Sequence, residues 1–152
     1  MPLAKASKLT VIILTIAAIA VAGLTVATTT VNQNIPSSGT VTAGPYVGVF
    51  SDSACTNQIT SIGWGSIGPG GNTSQTIYVE NTGAAQMAPS ISVGSWSPSD
   101  AVNYLTVTWS TLPSEIQPGV TNAVPVTLTL TVSSNITGIS SFSNAITITG
   151  TS

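Results

Sequence analysis

Few residues in this chain can do chemistry. The charged ones are Lys5, Lys8, Asp52, Glu80, Asp100 and Glu115, and neither arginine nor histidine occurs. Without an imidazole, histidine-based acid–base steps and Ser-His-Asp triads are excluded. A paired-carboxylate hydrolase needs two acids held close together. The four acids fall instead on separate expected turns and strands, where they read as solvated residues, and Asp100 after Ser97-Pro98 suits turn capping. One cysteine with no histidine is a poor start for zinc. Asp52 with loop carbonyls is a thin nucleus for calcium, which wants about six or more oxygens. We therefore expect no catalytic residue, no metal site, no cofactor and no small-molecule substrate. Nucleic-acid binding is excluded as well, because it needs Lys or Arg against phosphate and none follows Lys8.

Three other kinds of residue remain. Cys55 is the only cysteine; it reads as an unpaired, partly buried thiol, with an intermolecular disulfide as the alternative. No basic neighbour lowers its pKa. Asn72-Thr73-Ser74 and Asn135-Ile136-Thr137 are glycosylation sequons in expected loops, so Asn72 and Asn135 are candidate glycan acceptors. Trp64, Trp96 and Trp109 lie near the ends of expected strands. They read as core or end packing, and an exposed aromatic strip for glycan binding is the rival reading.

These residues belong to an unusual body. Of 152 residues, 24 are Thr and 21 Ser, 42% are hydrophobic and only 4% are charged. The polarity is hydroxyl and amide rather than ionic, and the hydrophobic content is too high for a disordered chain. Such a surface suits an extracellular protein, glycosylated or built to associate, better than a cytosolic one.

Residues 9–27, LTVIILTIAAIAVAGLTVA, carry no charge. As a helix they would extend about 28 Å, close to the hydrocarbon thickness of a bilayer. Both lysines precede them, which orients residues 1–8 to the cytoplasm and the rest outside. The expected element is a transmembrane helix. Two alternatives remain open. One is a secretory signal cut near Ala22 and Gly23, where Ala20-Val21-Ala22 has the small-x-small form. The other is a pilin-like helix released near Ser7. Residues 28–39 read as a Ser/Thr-rich stalk.

From Thr40 onward the pattern has period two. Val124, Val126, Leu128, Leu130 and Val132 alternate with polar residues, as do Leu105, Val107 and Trp109, and later Ile146 and Ile148. Strands are expected near 41–50, 58–64, 74–81, 89–96, 103–110, 123–133 and 142–149. Turn signals such as Pro69-Gly70-Gly71, Asn81-Thr82-Gly83 and Pro118-Gly119 separate them. Ile67-Gly68-Pro69-Gly70 and Ile116-Gln117-Pro118-Gly119 echo each other ahead of two of these strands. The expectation is an all-β, Ig-like sandwich of about seven strands over residues 40–152, with a barrel as the lesser alternative.

The run Tyr46-Val47-Gly48-Val49-Phe50-Ser51-Asp52-Ser53-Ala54-Cys55-Thr56, the later Thr60-Ser61-Ile62-Gly63-Trp64-Gly65, and Tyr78-Val79-Glu80-Asn81-Thr82-Gly83 carry a resemblance. So do Ser95-Trp96-Ser97-Pro98 and Tyr104-Leu105-Thr106-Val107-Thr108-Trp109. Together they resemble archaeal surface proteins that pair one N-terminal hydrophobic helix with a single Ig-like sandwich. The layout is also similar to archaeal pilins and to the camelysin/TasA fibre proteins. The resemblance implies a non-enzymatic surface protein, held in the cell membrane through residues 9–27, with an outward-facing structural or adhesive domain. A filament subunit is the alternative, built on a pilin-like helix or on donation of residues 28–45 to a neighbour as a strand. A secreted carbohydrate-binding module is a further one. Self-association is expected through β edges, which lack the lysines that commonly block strand addition, or through the N-terminal helix.

Overall fold

The computed structural model describes residues 35–43 and 46–152. The expected membrane helix 9–27, the cleavage positions Ala22 and Gly23, and residues 28–34 of the stalk lie outside them.

Eight strands form: β1 (Ile35–Ala43), β2 (Val47–Phe50), β3 (Ser61–Ile67), β4 (Asn72–Asn81), β5 (Ala88–Ser97), β6 (Leu105–Trp109), β7 (Val124–Val132) and β8 (Phe142–Thr151). They make two four-stranded sheets, in the orders β3-β1-β8-β5 and β2-β4-β7-β6. The architecture is a sandwich of two open sheets and not a barrel. The alternation read from the sequence is what builds it. In β7, Val126, Leu128, Leu130 and Val132 are buried while Thr127, Thr129 and Thr131 face outward or are half-buried. From the other sheet, Ile146 and Ile148 of β8 and Ile35 and Val41 of β1 complete the core.

Two expectations need correction. The strand expected over 41–50 is two strands in different sheets, ending at Ala43 and resuming at Val47. Pro45 between them has no N–H to give a ladder. The expected stalk over 28–39 also overlaps β1, which begins at Ile35 rather than near Thr40. Ile35 is fully buried, so this stretch is part of the domain.

Bulges adjust the phase of two strands. In β3 the pairing with β1 slips between Ser37 and Ser38, opposite Gly65 and Gly63. Gly65 adopts φ +74°, and the extra residue returns Ile67 to the interior after Ile62 and Trp64. In β5 the ladder with β8 slips between Gly94 and Ser97, Ser95 has φ +54°, and Trp96 turns inward against Phe142, ring centroids 5.7 Å apart.

The echo of Ile-x-Pro-Gly has a structural counterpart. Ile67 and Ile116 are both buried, and Gly70 and Gly119 both take positive φ, at +75° and +97°. The two turns lead toward β4 and β7, the paired central strands of one sheet.

Asn81 ties the sheets together at one end. It is fully buried, and its Nδ2 donates to the carbonyls of Ala85 (2.7 Å) and Ile116 (2.8 Å). Its Oδ1 accepts from Gly83 N–H at 2.9 Å, and its own carbonyl accepts from Gly119 N–H at 3.0 Å. Ile116 in turn exchanges two backbone hydrogen bonds with Met87, next to β5. Truncating Asn81 removes three side-chain hydrogen bonds at once: the buried Ile116 carbonyl keeps only the Met87 N–H, and the Ala85 carbonyl and Gly83 N–H lose their Asn81 partner. Asn81→Ala is expected to lower stability by about 2–3 kcal/mol, read from urea denaturation midpoints, while the neighbouring exposed Thr82→Ala stays within about 0.5 kcal/mol.

Candidate functional site

Strand β1 is the N-terminal strand of the described domain and yet lies inside a sheet. It pairs in parallel with β8, Ser37–Ala43 against Phe142–Ile148, and antiparallel with β3, Ile35–Thr40 against Ser61–Ile67. Two side chains add longer hydrogen bonds: Thr40 Oγ1, on the exposed face, donates to the Asn144 carbonyl, and half-buried Ser37 donates through Oγ to the Gly65 carbonyl, both at 3.3 Å. The next element, β2, belongs to the opposite sheet. β1 therefore occupies a slot whose two walls come from elsewhere in the chain.

The floor of the slot is unusual. Asn144 is only 2% exposed and Trp64 only 3%. Neither Trp64 Nε1 nor Asn144 Oδ1 and Nδ2 has a hydrogen-bond partner in the protein. Trp64 Nε1 and Asn144 Oδ1 both lie over Gly39. A Cβ at that position would lie 3.1 Å from Asn144 Oδ1 and 3.4 Å from Trp64 Nε1. A side chain at residue 39 would press on the carboxamide in a core with little room to yield. Unpaired buried polar groups are costly, so this notch weakens the fold rather than strengthening it. The sequence signals it poorly: Gly39 reads as linker and Trp64 as core packing, and no pattern singles out Asn144.

The other candidate residues are scattered. Asp52 organises its own turn: Oδ1 accepts from Thr56 N–H and Oγ1–H, each at 3.1 Å, and Oδ2 from Asn57 N–H at 2.8 Å. The Thr56 N–H leads in holding its carboxyl below the ordinary carboxylate range, with Asn57 adding to the effect against a smaller opposing push from burial. Cys55 is half-buried at φ +53°. Burial, and then the negative charges of Glu80 and Asp52, push its thiol upward, which disfavours the thiolate at neutral pH. The sequence did not anticipate that Glu80 faces this thiol. Asp100 lies in the first turn of the short 3-10 segment Ser99–Asn103, which has no side-chain cap, so the expected capping role is not seen. Glu115 is exposed. Among the described residues, no three acidic, Cys or His side chains come together as metal ligands.

Asn72 and Asn135 are both exposed. Asn72 is not in a loop as expected: it opens β4, opposite Thr131. Ser134 lies against the Gly70 turn, 3.6 Å from where a Cβ on Gly70 would sit, so both sequons fall at the end of the sandwich where β1 begins. The indoles do not form a strip. Trp64 is buried, Trp96 half-buried, and only Trp109, on the opposite sheet from Trp96, is exposed at 38%. A cleft of about 250 Å³ lined by Tyr46, Gly83, Ala84, Ala85, Met87, Gly150 and Ser152 is mainly apolar.

Compared with protein-family models, curated proteins and solved structures, the chain matches none.

Two outcomes follow from this geometry. Gly39→Val is expected to destabilise the fold by about 1–3 kcal/mol through overpacking. Gly39→Val with Asn144→Ala is expected to recover that loss, because it exchanges three side-chain heavy atoms for three across the notch and removes two unpaired polar atoms; thermal melts of the three proteins check both. For Asp52, a pKa depressed on folding means a stabilising contribution present above the unfolded value and lost as pH falls through the folded one. Stability of Asp52→Asn is expected to fall less steeply in acid than that of the parent, measured by urea titration at a series of pH values.

Proposed function

We propose that this chain is a non-enzymatic, outward-facing structural or adhesive surface protein, an Ig-like sandwich held at the cell membrane through residues 9–27. The observation that supports this best is the solvent face of the sandwich. The described residues contain no Lys, Arg or His, and their outer surfaces are hydroxyl ladders. Ser74 meets Thr129 at 2.8 Å across β4 and β7, and Ser90 meets Thr149 at 2.6 Å across β5 and β8. Thr in such pairs combines strand propensity with an uncharged, hydrated face. A surface of this kind has nothing to attract phosphate and no acid–base machinery. Two of its exposed large apolar side chains, Tyr46 and Val120, lie toward the end away from the sequons, where an adhesive contact would meet no glycan.

A specific observation favours filament assembly by strand donation as a second reading. The four sheet edges are blunted by geometry. β2 has four residues and β6 five, and β2 is further covered by Gln58 and Ile59 through the Phe50 bridge and an Ile59 N–H to Val49 carbonyl bond. β3 and β5 are bulged, and β5 carries Pro89. Bulges, short strands and proline all obstruct edge pairing. The sequence expectation of easy edge-to-edge association therefore has less support than exchange of β1, which is chain-terminal in the domain and separated from β2 by three residues, Gly44, Pro45 and Tyr46. Such short connections favour swapping.

Whole cells treated with protease test the first reading. Degradation of the sandwich with protection of a fragment containing residues 9–27 is the expected result, and an intact sandwich in unbroken cells overturns it.

A further inference from the structure

We propose that the Asn144–Trp64 notch is a register gauge for β1: it admits a strand only when Gly39 lies over it, including when that strand is the Ile35–Ala43 segment of a second copy of this chain. This rests on the strand-donation reading above.

The inward-facing positions of β1 are Ile35, Ser37, Gly39 and Val41. A slip of one residue turns the opposite face inward and fails on hydrophobicity alone. A slip of two keeps the same face inward, so hydrophobicity discriminates weakly, since only Ile35 and Val41 are large and apolar. The notch supplies the missing discrimination. Slipped one way, Val41 lies beside Asn144; slipped the other way, Ser37 does, and Ile35 leaves its fully buried position opposite Ile67. In both cases a Cβ arrives where the Oδ1 would be only 3.1 Å away. Gly39 needs no positive φ here; its role is to let β1 approach the carboxamide closely. A buried polar group that costs stability while fixing the alignment of paired elements is a known device, and it accounts for two unpaired polar atoms, Asn144 Oδ1 and Trp64 Nε1, set against one glycine.

The test uses full-length chains with Cys55→Ser, co-expressed in pairs so that a disulfide can form only between copies. One chain carries Thr40→Cys. The other carries Ser61→Cys, the partner of Thr40 in register, or Gly63→Cys, which Thr40 would face after a slip of two. Thr40, Ser61 and Gly63 are all solvent-exposed, and a Cβ on Gly63 meets nothing within 4 Å. Oxidised surface material is resolved on a non-reducing gel. The Ser61→Cys pair is expected to give at least about tenfold more covalent dimer than the Gly63→Cys pair, the order of effect of an unrelieved buried polar contact. With Asn144→Ala in both chains, the two yields are expected to converge. Unequal yields that Asn144→Ala leaves unchanged, or equal yields in the parent, would show that register is set elsewhere; strand donation would stand and the gauge would fall. Absence of both dimers overturns strand donation and the gauge with it. Because Asn144→Ala removes atoms rather than adding them, and Gly39→Val with Asn144→Ala is expected to restore the Ser61→Cys dimer that Gly39→Val alone abolishes, misfolding of one variant does not decide the outcome.

Discussion

The fold depends on β1 being seated between β3 and β8. A strand inside a sheet satisfies two ladders at once, and backbone groups shut away from water must be paired. Without Ile35–Ala43, the facing edges of β3 and β8 would be open and the inner faces of Ile62, Ile146 and Ile148 uncovered. The second sheet carries no such dependence, since β4 and β7 are long, central and mutually paired over Asn72–Val79 and Val124–Thr131. The domain is thus asymmetric, with one sheet (β2, β4, β6 and β7) built without β1 and the other completed by the described segment nearest the N-terminus.

That asymmetry and the surface chemistry fit the same proposed role. A chain almost free of ions cannot use electrostatic repulsion to keep its strands apart, so geometry does so: bulges in β3 and β5, short β2 and β6, and a segment laid along β2. Directed association through one interior strand is then compatible with resistance to unregulated edge pairing. The buried Asn81 and Asn144 show two uses of the same side chain. Asn81 is satisfied on every side and locks the turn at one end; Asn144 is unsatisfied, and we assign it to alignment rather than to stability.

Much of the sandwich was legible because period-two alternation is a local signal. β6, β7 and β8 follow directly from it, and the Asn81-Thr82-Gly83 and Pro118-Gly119 turns from their residue types. What was hidden depended on partners far away in sequence. Ile35-Pro36-Ser37-Ser38-Gly39 reads as a linker because its inward face is half small residues, and the reason for Gly39 lies at Asn144, more than a hundred residues later. The phase shifts at Gly65 and Ser95 break the alternation that would otherwise place Ile67 and Trp96. The contact of Glu80 with Cys55 likewise needed β2 and β4 to be brought side by side.

The central claim is that β1 belongs to the cooperative unit and closes its sheet. Amide hydrogen exchange on the full chain tests it most directly. The account requires the hydrogen-bonded amides of Gly39–Thr42 to open with the same free energy as those of β4 and β7, that is, only with global unfolding. Exchange of the β1 amides by local opening, well before the β4 and β7 amides lose protection, would contradict it.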